Sequence, residues 1–275
     1  MNGLLYIRFF VSLLYAAATV SYFRLLLRQG KGPNRSTPLL IAAISVHFGE
    51  LLARGAEAGA AGGAPFVGLS GFMSMFAFLV AVIYLFLEHR HRVYTLGAFH
   101  LPVILIFQAV AAIIRTPIGH IPSLRTGHLF VLHVVPSAIA YGAFTVSFVT
   151  AVAFLLLDRQ LRKKKFGLLM RGLPNLDLVE AVNVAGVRIG VVLLLIGAAT
   201  GMVMGYREWG NHYRWDLKNW ITLLIIATYT SQLVLRRFHA FGGRRSVLLS
   251  IIGFIMIVCG FTIINVFFSH IHSVT

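Results

Sequence analysis

Eight mostly apolar runs, separated by short polar stretches, cover most of the chain. They fall at about 4–27, 38–54, 67–87, 94–114, 128–157, 184–205, 217–236 and 247–269. As helices rising 1.5 Å per residue, runs near 20 residues long match the ~30 Å hydrocarbon core of a bilayer. The second run is the shortest and carries Glu50. The stretch "RGAEAGAAGGAP" (54–65) reads as a loop from its glycines and Pro65. The pattern predicts an all-α membrane protein, a polytopic bundle of about eight transmembrane helices. The whole of 1–275 reads as a single transmembrane domain, with no soluble linker and no internal repeat.

Composition agrees. Of 275 residues, 58% are hydrophobic and 12% charged, with a mean hydropathy of +0.84. A soluble domain carries about a quarter charged residues. The formal charge of +16 reads as topology and contact with anionic lipid rather than nucleic-acid binding. The single cysteine, Cys259, leaves no disulfide framework, no CxxC pair and no CxxCH haem-attachment motif. The chain is therefore not itself a c-type cytochrome.

Basic residues set the orientation. Only Arg8 precedes the apolar core of "FFVSLLYAAATVSYF", whereas Arg24, Arg28, Lys31 and Arg35 follow the first run. That order predicts a retained helix with its N-terminus outside, not a cleaved signal peptide. The loops after runs one, three, five and seven carry sixteen Lys and Arg, including "RKKK" (162–165). The opposite side carries six: Arg54, Arg115, Arg125, Arg207, Arg214 and Lys218. The richer side is predicted to be cytoplasmic and both termini outside.

With that topology, one segment stands apart. "YREWGNHYRWDLKNW" (206–220) holds all three tryptophans, Trp209, Trp215 and Trp220, with Glu208 and Asp216 among only eight acidic residues. It falls on the predicted outer side. His133, near the outer end of the fifth run, His272, just past the eighth, and His47, about seven residues inside the second, fall at a similar depth. An imidazole within a span is a functional hypothesis by default, and neutral imidazole is a common axial ligand of haem iron. Two histidines from different helices can clamp an iron porphyrin from both faces. Indoles give the flat macrocycle a stacking wall. Arg207, Arg214 and Lys218 stand ready for its propionates, and Asp216 suits orienting a Trp, an Arg or a ligand histidine rather than touching iron.

A plainer reading covers the same residues, because Trp and Tyr belts with nearby cations are ordinary at membrane interfaces. His89, His91 and His239 sit among cytoplasmic basics and read as solvated. His120 and His128 fall in a Pro/Gly loop and read as surface. His100 lies in the inner half of the fourth run, and His212 and His270 are spare ligand candidates.

The segment "WGNHYRWDLKNW" resembles the tryptophan-rich WWD signature of the cytochrome c assembly superfamily, haem-handling membrane proteins of the CcsA/ResC, CcmC and short HemX/YpjD types. Trp209, Gly210, Trp215, Asp216, Lys218 and Trp220 match the pattern W-G-x-x-W-x-W-D-P-K-E-x-W. In that family one ligand histidine precedes the signature and one follows it. "LHVVPSAIAYGAFTVSF" resembles the first site, which implies His133 as a ligand, with Tyr141 and Phe144 following. "IHSV" resembles the second, implying His272 with Ser273. His47 resembles a histidine in an early span of the short members. The likeness covers about 128–275 in detail and 1–127 in hydropathy alone. Tyr213 stands where a Trp is usual, Leu217 where a Pro is usual, and Val274 where a Tyr is usual; one residue is missing between Lys218 and Trp220.

The resemblance implies haem b held as cargo at the outer face of a bacterial-type inner membrane and passed to apocytochrome c, with a ResB/Ccs1-like membrane partner. Thioether formation needs reduced haem and CxxCH thiols that this chain does not supply, so it is at most a subunit of a ligating system. Two other functions fit the same residues: a HemX-like accessory regulator of tetrapyrrole synthesis, and a transporter without haem. The orientation is open to a direct test. A C-terminal reporter that is active only in the cytoplasm should stay dark; a bright one inverts the topology and moves the Trp segment inside.

Overall fold

The computed structural model describes residues 2–31, 33–60, 69–114, 128–164, 167, 171–210, 215, 217–237 and 242–268, with backbone alone at 2, 208–209 and 261–268. These residues form eight α-helices: α1 (Asn2–Leu27), α2 (Ser36–Ala60), α3 (Leu69–His91), α4 (Gly97–Ile113), α5 (His128–Arg162), α6 (Leu176–Trp209), α7 (Leu217–Leu235) and α8 (Arg244–Phe268). A short 3₁₀ turn, Tyr94–Leu96, leads into α4. Among the described residues there is no strand. Among the described residues, six spans are long and apolar enough to cross a membrane: α1, α2, α3, the 3₁₀ turn continuing into α4, α5 and α6. The chain is an all-α membrane bundle. The seventh and eighth predicted runs form α7 and α8.

The boundaries differ from the hydropathy pattern in instructive places. The Gly/Ala stretch expected to be a loop from residue 54 stays helical to Ala60. Alanine is the best helix former, and a glycine within a helix costs only about 1 kcal/mol, so Ala56, Ala58 and Ala60 carry the helix past Gly55 and Gly59. The fifth run begins where expected, at His128, which opens α5 and is exposed, though in a helix rather than in the Pro/Gly loop assigned to it. α6 begins at Leu176, eight residues before the predicted start, because Asn175 caps it: its Oδ1 accepts the Leu178 N–H at 2.9 Å.

The described residues fall into two compact units, Met1–Gly127 with Ala153–Val182, and His128–Val152 with Asn183–Thr275. In the first, α1 packs against α2 and α4, and α3 packs against α2 and α4. α1 buries Tyr15, Ala18, Tyr22, Leu25 and Leu26, a helical three-and-four spacing. It leaves Leu13, Val20, Phe23 and Leu27 exposed, the surface expected of a helix facing lipid. A chain of buried polar groups ties the four helices together. Arg8 Nε donates to Glu50 Oε1 at 2.8 Å, and its Nη1 donates to Ser70 Oγ at 2.6 Å and to the Ala111 carbonyl at 3.3 Å. At the other end, Glu88 accepts from the Tyr22 hydroxyl at 2.6 Å and from Thr37.

The second unit is built the same way on different chemistry. Asn183 of α6 donates through Nδ2 to the Ser147 carbonyl at 2.8 Å and to Ser250 Oγ at 3.0 Å. Gln232 Nε2 donates to Asn183 Oδ1 at 3.1 Å. One amide cluster thus joins α5, α6, α7 and α8. Beside it, Phe144 and Tyr229 stack with ring centroids 3.9 Å apart and an interplanar angle of 4°. Glycines let the backbones reach this stack. A Cβ at Gly190 would sit 2.3 Å from the Phe144 ring, and one at Gly253 would sit 2.7 Å from the Tyr229 ring.

The Arg8–Glu50 pair is the sharpest test of this architecture. Removing one partner of a buried pair strands the other charge and costs about 3–5 kcal/mol. Glu50→Ala should therefore lower the thermal midpoint of the detergent-purified protein well below that of the Arg8→Leu/Glu50→Leu double variant. A single variant that melts like the wild type would remove the pair from its structural role.

Candidate functional site

His133 lies in the second turn of α5, and its surroundings are specific. Nδ1 lies 2.7 Å from the Gly197 carbonyl oxygen. A carbonyl only accepts, so Nδ1 carries a proton, and in the neutral ring Nε2 then keeps the lone pair that a metal would use. This is the tautomer found at metal-ligating histidines, whose other ring nitrogen donates to a carbonyl or carboxylate. The ring lies against glycine: a Cβ at Gly201 would be 2.6 Å from His133 Nδ1. One turn below, a Cβ at Gly197 would be 2.2 Å from Ser137 Oγ. Gly197 and Gly201, four residues apart on α6, form the small-xxx-small surface that lets membrane helices approach closely. Neither hydropathy nor the placing of histidines points to them, although their GxxxG spacing is legible in the chain.

The tryptophan segment lies at the same end of this unit. Gly201 faces His133, and Trp209, eight residues on, ends α6 about 12 Å farther along the axis. Trp215 and Trp220 lie where the chain enters α7. Their ring centroids are 5.4 Å apart, tilted by 49°, and both are exposed, at 46% and 61%. Two large indoles left open beside each other form an apolar surface. α8 returns to this end, where a Cβ at Gly260 would meet Ile221 of the first turn of α7 at 2.8 Å. Asp216 and His272 lie outside the described residues, as do His120, His212, His239 and His270.

His47 belongs to the other unit and is fully buried. Since α2 runs to Ala60, His47 sits thirteen residues from its end, about 20 Å, rather than the expected seven. Both of its nitrogens are engaged. Ser74 Oγ donates to Glu50 Oε2 at 2.8 Å, which uses its only hydrogen, so it accepts from His47 Nε2 at 3.0 Å. Nδ1 then accepts from the Tyr15 hydroxyl at 3.0 Å. Ligation of a metal by His47 requires one of these bonds to be given up. His100, from the inner half of the fourth predicted run, is buried, stacks on Tyr84 with centroids 4.4 Å apart, and donates through Nδ1 to the Leu96 carbonyl at 2.9 Å.

Residues 65–272 match the family described as Cytochrome C assembly protein. The chain belongs to that family. Among curated relatives, it is 30% identical to Protein HemX of Brevibacillus brevis over 116 residues, covering 42% of this chain and 43% of that protein. It is 25% identical to Cytochrome c biogenesis protein CcsA of Synechococcus sp. (strain CC9902) over 174 residues, 56% of this chain and 57% of that one. The CcsA of Prochlorococcus marinus (strain MIT 9301) is 26% identical over 172 residues, 56% and 55%. The chain thus spans about half the length of the curated relatives it matches. The family match takes in the His133 cradle and the whole tryptophan segment.

The assigned tautomer can be measured without any ligand. In a ¹⁵N spectrum of histidine-labelled protein, His133 should show a protonated Nδ1 and an unprotonated Nε2. The same spectrum of Gly201→Leu should lose that signature as the ring is pushed from its cradle. A ring protonated on Nε2 but not on Nδ1 in the wild type would contradict the geometry.

Proposed function

We propose that this protein handles haem in cytochrome c biogenesis, holding haem b as cargo between His133 and His272 beneath the tryptophans at the outer face of a bacterial-type inner membrane. The observation that carries this reading is the His133 imidazole: fixed by Gly197, cradled by Gly201 and left with a free lone pair on Nε2. Membership of the cytochrome c assembly family, and relatives bearing the name cytochrome c biogenesis protein, support it. A porphyrin supplies iron for an imidazole and a flat apolar face for aromatic contact. The Trp215–Trp220 pair offers that contact, and Arg207, Arg214 and Lys218 offer cations for carboxylates. In this reading Trp209 adds a third indole and Asp216 serves to orient a neighbouring side chain. His47 stays outside the ligand pair because both its nitrogens are engaged.

In this reading His133 binds and orients the cargo, and the apolar surface keeps water from its face. The recipient is an apocytochrome c, which brings the CxxCH thiols absent here, and a ResB/Ccs1-like partner completes the ligating system. The likeness to HemX favours a second reading, an accessory role in tetrapyrrole synthesis.

Spectra separate these readings. Protein purified from haem-supplemented cells should show a Soret band that is lost or shifted in His133→Ala and in His272→Ala, and restored in His133→Ala by added imidazole. A wild type that stays colourless removes haem and leaves the transporter reading. In a deletion strain, loss of haem-stained c-type cytochromes with normal b-type spectra supports biogenesis. Altered tetrapyrrole levels with normal c-type cytochromes support the second reading.

A further inference from the structure

The connection between α1 and α2 carries chemistry that haem handling does not use. A cavity of about 260 Å³ opens there, lined by Arg24, Arg28, Lys31 and Arg35 together with the hydroxyls of Ser21 and Ser36. No carboxylate lines it. Among the described residues, none of the four cations makes an ion pair. Glu88 is committed elsewhere, to Tyr22 and Thr37. Leu25 also lines an adjoining cavity of about 270 Å³, to which Arg92 and Arg171 contribute.

The turn that carries these four exposed cations is itself well defined. Gln29 and Gly30 take positive φ, 56° and 72°, and the Gly30 N–H donates to the Leu25 carbonyl at 2.9 Å. That stops α1 and turns the chain within a few residues. Asn34 Oδ1 then accepts the Ser36 and Thr37 N–H groups at 3.1 and 3.3 Å and starts α2. Ser21 and Ser36, one from each helix, meet at 2.9 Å between their hydroxyls. A topology signal needs only basic residues in a loop. It does not need four of them gathered around one cavity, where like charges repel each other. An anion in the cavity removes that repulsion.

The neighbouring surface indicates which anion. Val20, Phe23 and Leu27 of α1 form an exposed apolar stripe, 49%, 45% and 60% accessible, running up to Arg24 and Arg28. A cationic cavity at the end of an apolar stripe matches a molecule with an anionic head and apolar tails. We propose that this cavity binds a phosphate-bearing anion, with the headgroup of an anionic phospholipid as its source and its acyl chains along the α1 stripe. The loop charges assign this end to the cytoplasmic leaflet, where anionic lipids and basic pockets between helices meet.

The test uses the full-length protein in neutral detergent, titrated separately with phosphatidylglycerol, phosphatidylcholine and inorganic phosphate. Thermal midpoint and lipid retained in native mass spectra are the two readouts. Phosphatidylglycerol should raise the midpoint and be retained, and phosphatidylcholine should do neither. Each cation removed should weaken the effect about fivefold, so Arg24→Gln/Arg28→Gln/Arg35→Gln should need roughly a hundredfold more lipid. Arg24→Lys/Arg28→Lys, which keeps the charge, should respond like the wild type and guards against misfolding of the neutral variant. Lys163→Gln/Lys164→Gln, removing exposed cations on the same predicted side, should leave the response unchanged. A matching shift with inorganic phosphate alone would support the anion site but name a soluble phosphate as its source. Equal effects of the two lipids, or equal loss in the Lys163/Lys164 variant, would overturn the proposal.

Discussion

A polar group inside a bilayer has no water to bond with, so it must find its partner in the protein. Both units are organised by that constraint. In one, Arg8, Glu50, Ser70, Ser74, His47 and Tyr15 bond in an unbroken sequence across α1, α2, α3 and α4. In the other, Asn183, Ser147, Gln232 and Ser250 join α5 to α8. Apolar side chains cannot select among neighbouring helices in lipid, because lipid is as apolar as they are. Directed hydrogen bonds and glycine-sized gaps can. Each unit therefore pairs a buried polar network with close backbone approaches, at Gly97 against the Tyr22 ring and at Gly190 against Phe144.

The same two devices make the candidate site. The Gly197 carbonyl sets the tautomer of His133, and Gly201 leaves room for its ring. That arrangement engages one ring nitrogen of His133 and leaves the other available, as a ligand histidine requires. His47 shows the opposite arrangement of the same residue type, with Tyr15 on one nitrogen and Ser74 on the other. Bonding partners separate the two imidazoles, which apolar sequence context does not.

Much of the fold was legible before any coordinates. Runs of apolar residues located all eight helices, since a length near 20 residues answers directly to bilayer thickness. The ends were less legible. Glycines at 55 and 59 signalled a loop, but the alanines between them kept α2 helical to residue 60. At the candidate site, the tryptophan cluster and His133 stood out because indoles and intramembrane imidazoles are scarce and costly to place. The glycines behind His133 were visible only as a spacing, and nothing in that spacing tells which neighbour they receive.

The sequence by itself determined the class of protein, its helices and the family signature around residues 206–220, because composition and run length act locally and answer to the membrane. Tertiary structure alone decided which polar residues meet. Arg8 and Glu50 lie 42 residues apart, and His133 and Gly197 lie 64 apart. Such pairings depend on helix rotation and crossing, which no local pattern encodes. Tertiary structure also left the indoles of Trp215 and Trp220 side by side and open, and it gathered four cations of the α1–α2 turn around one cavity.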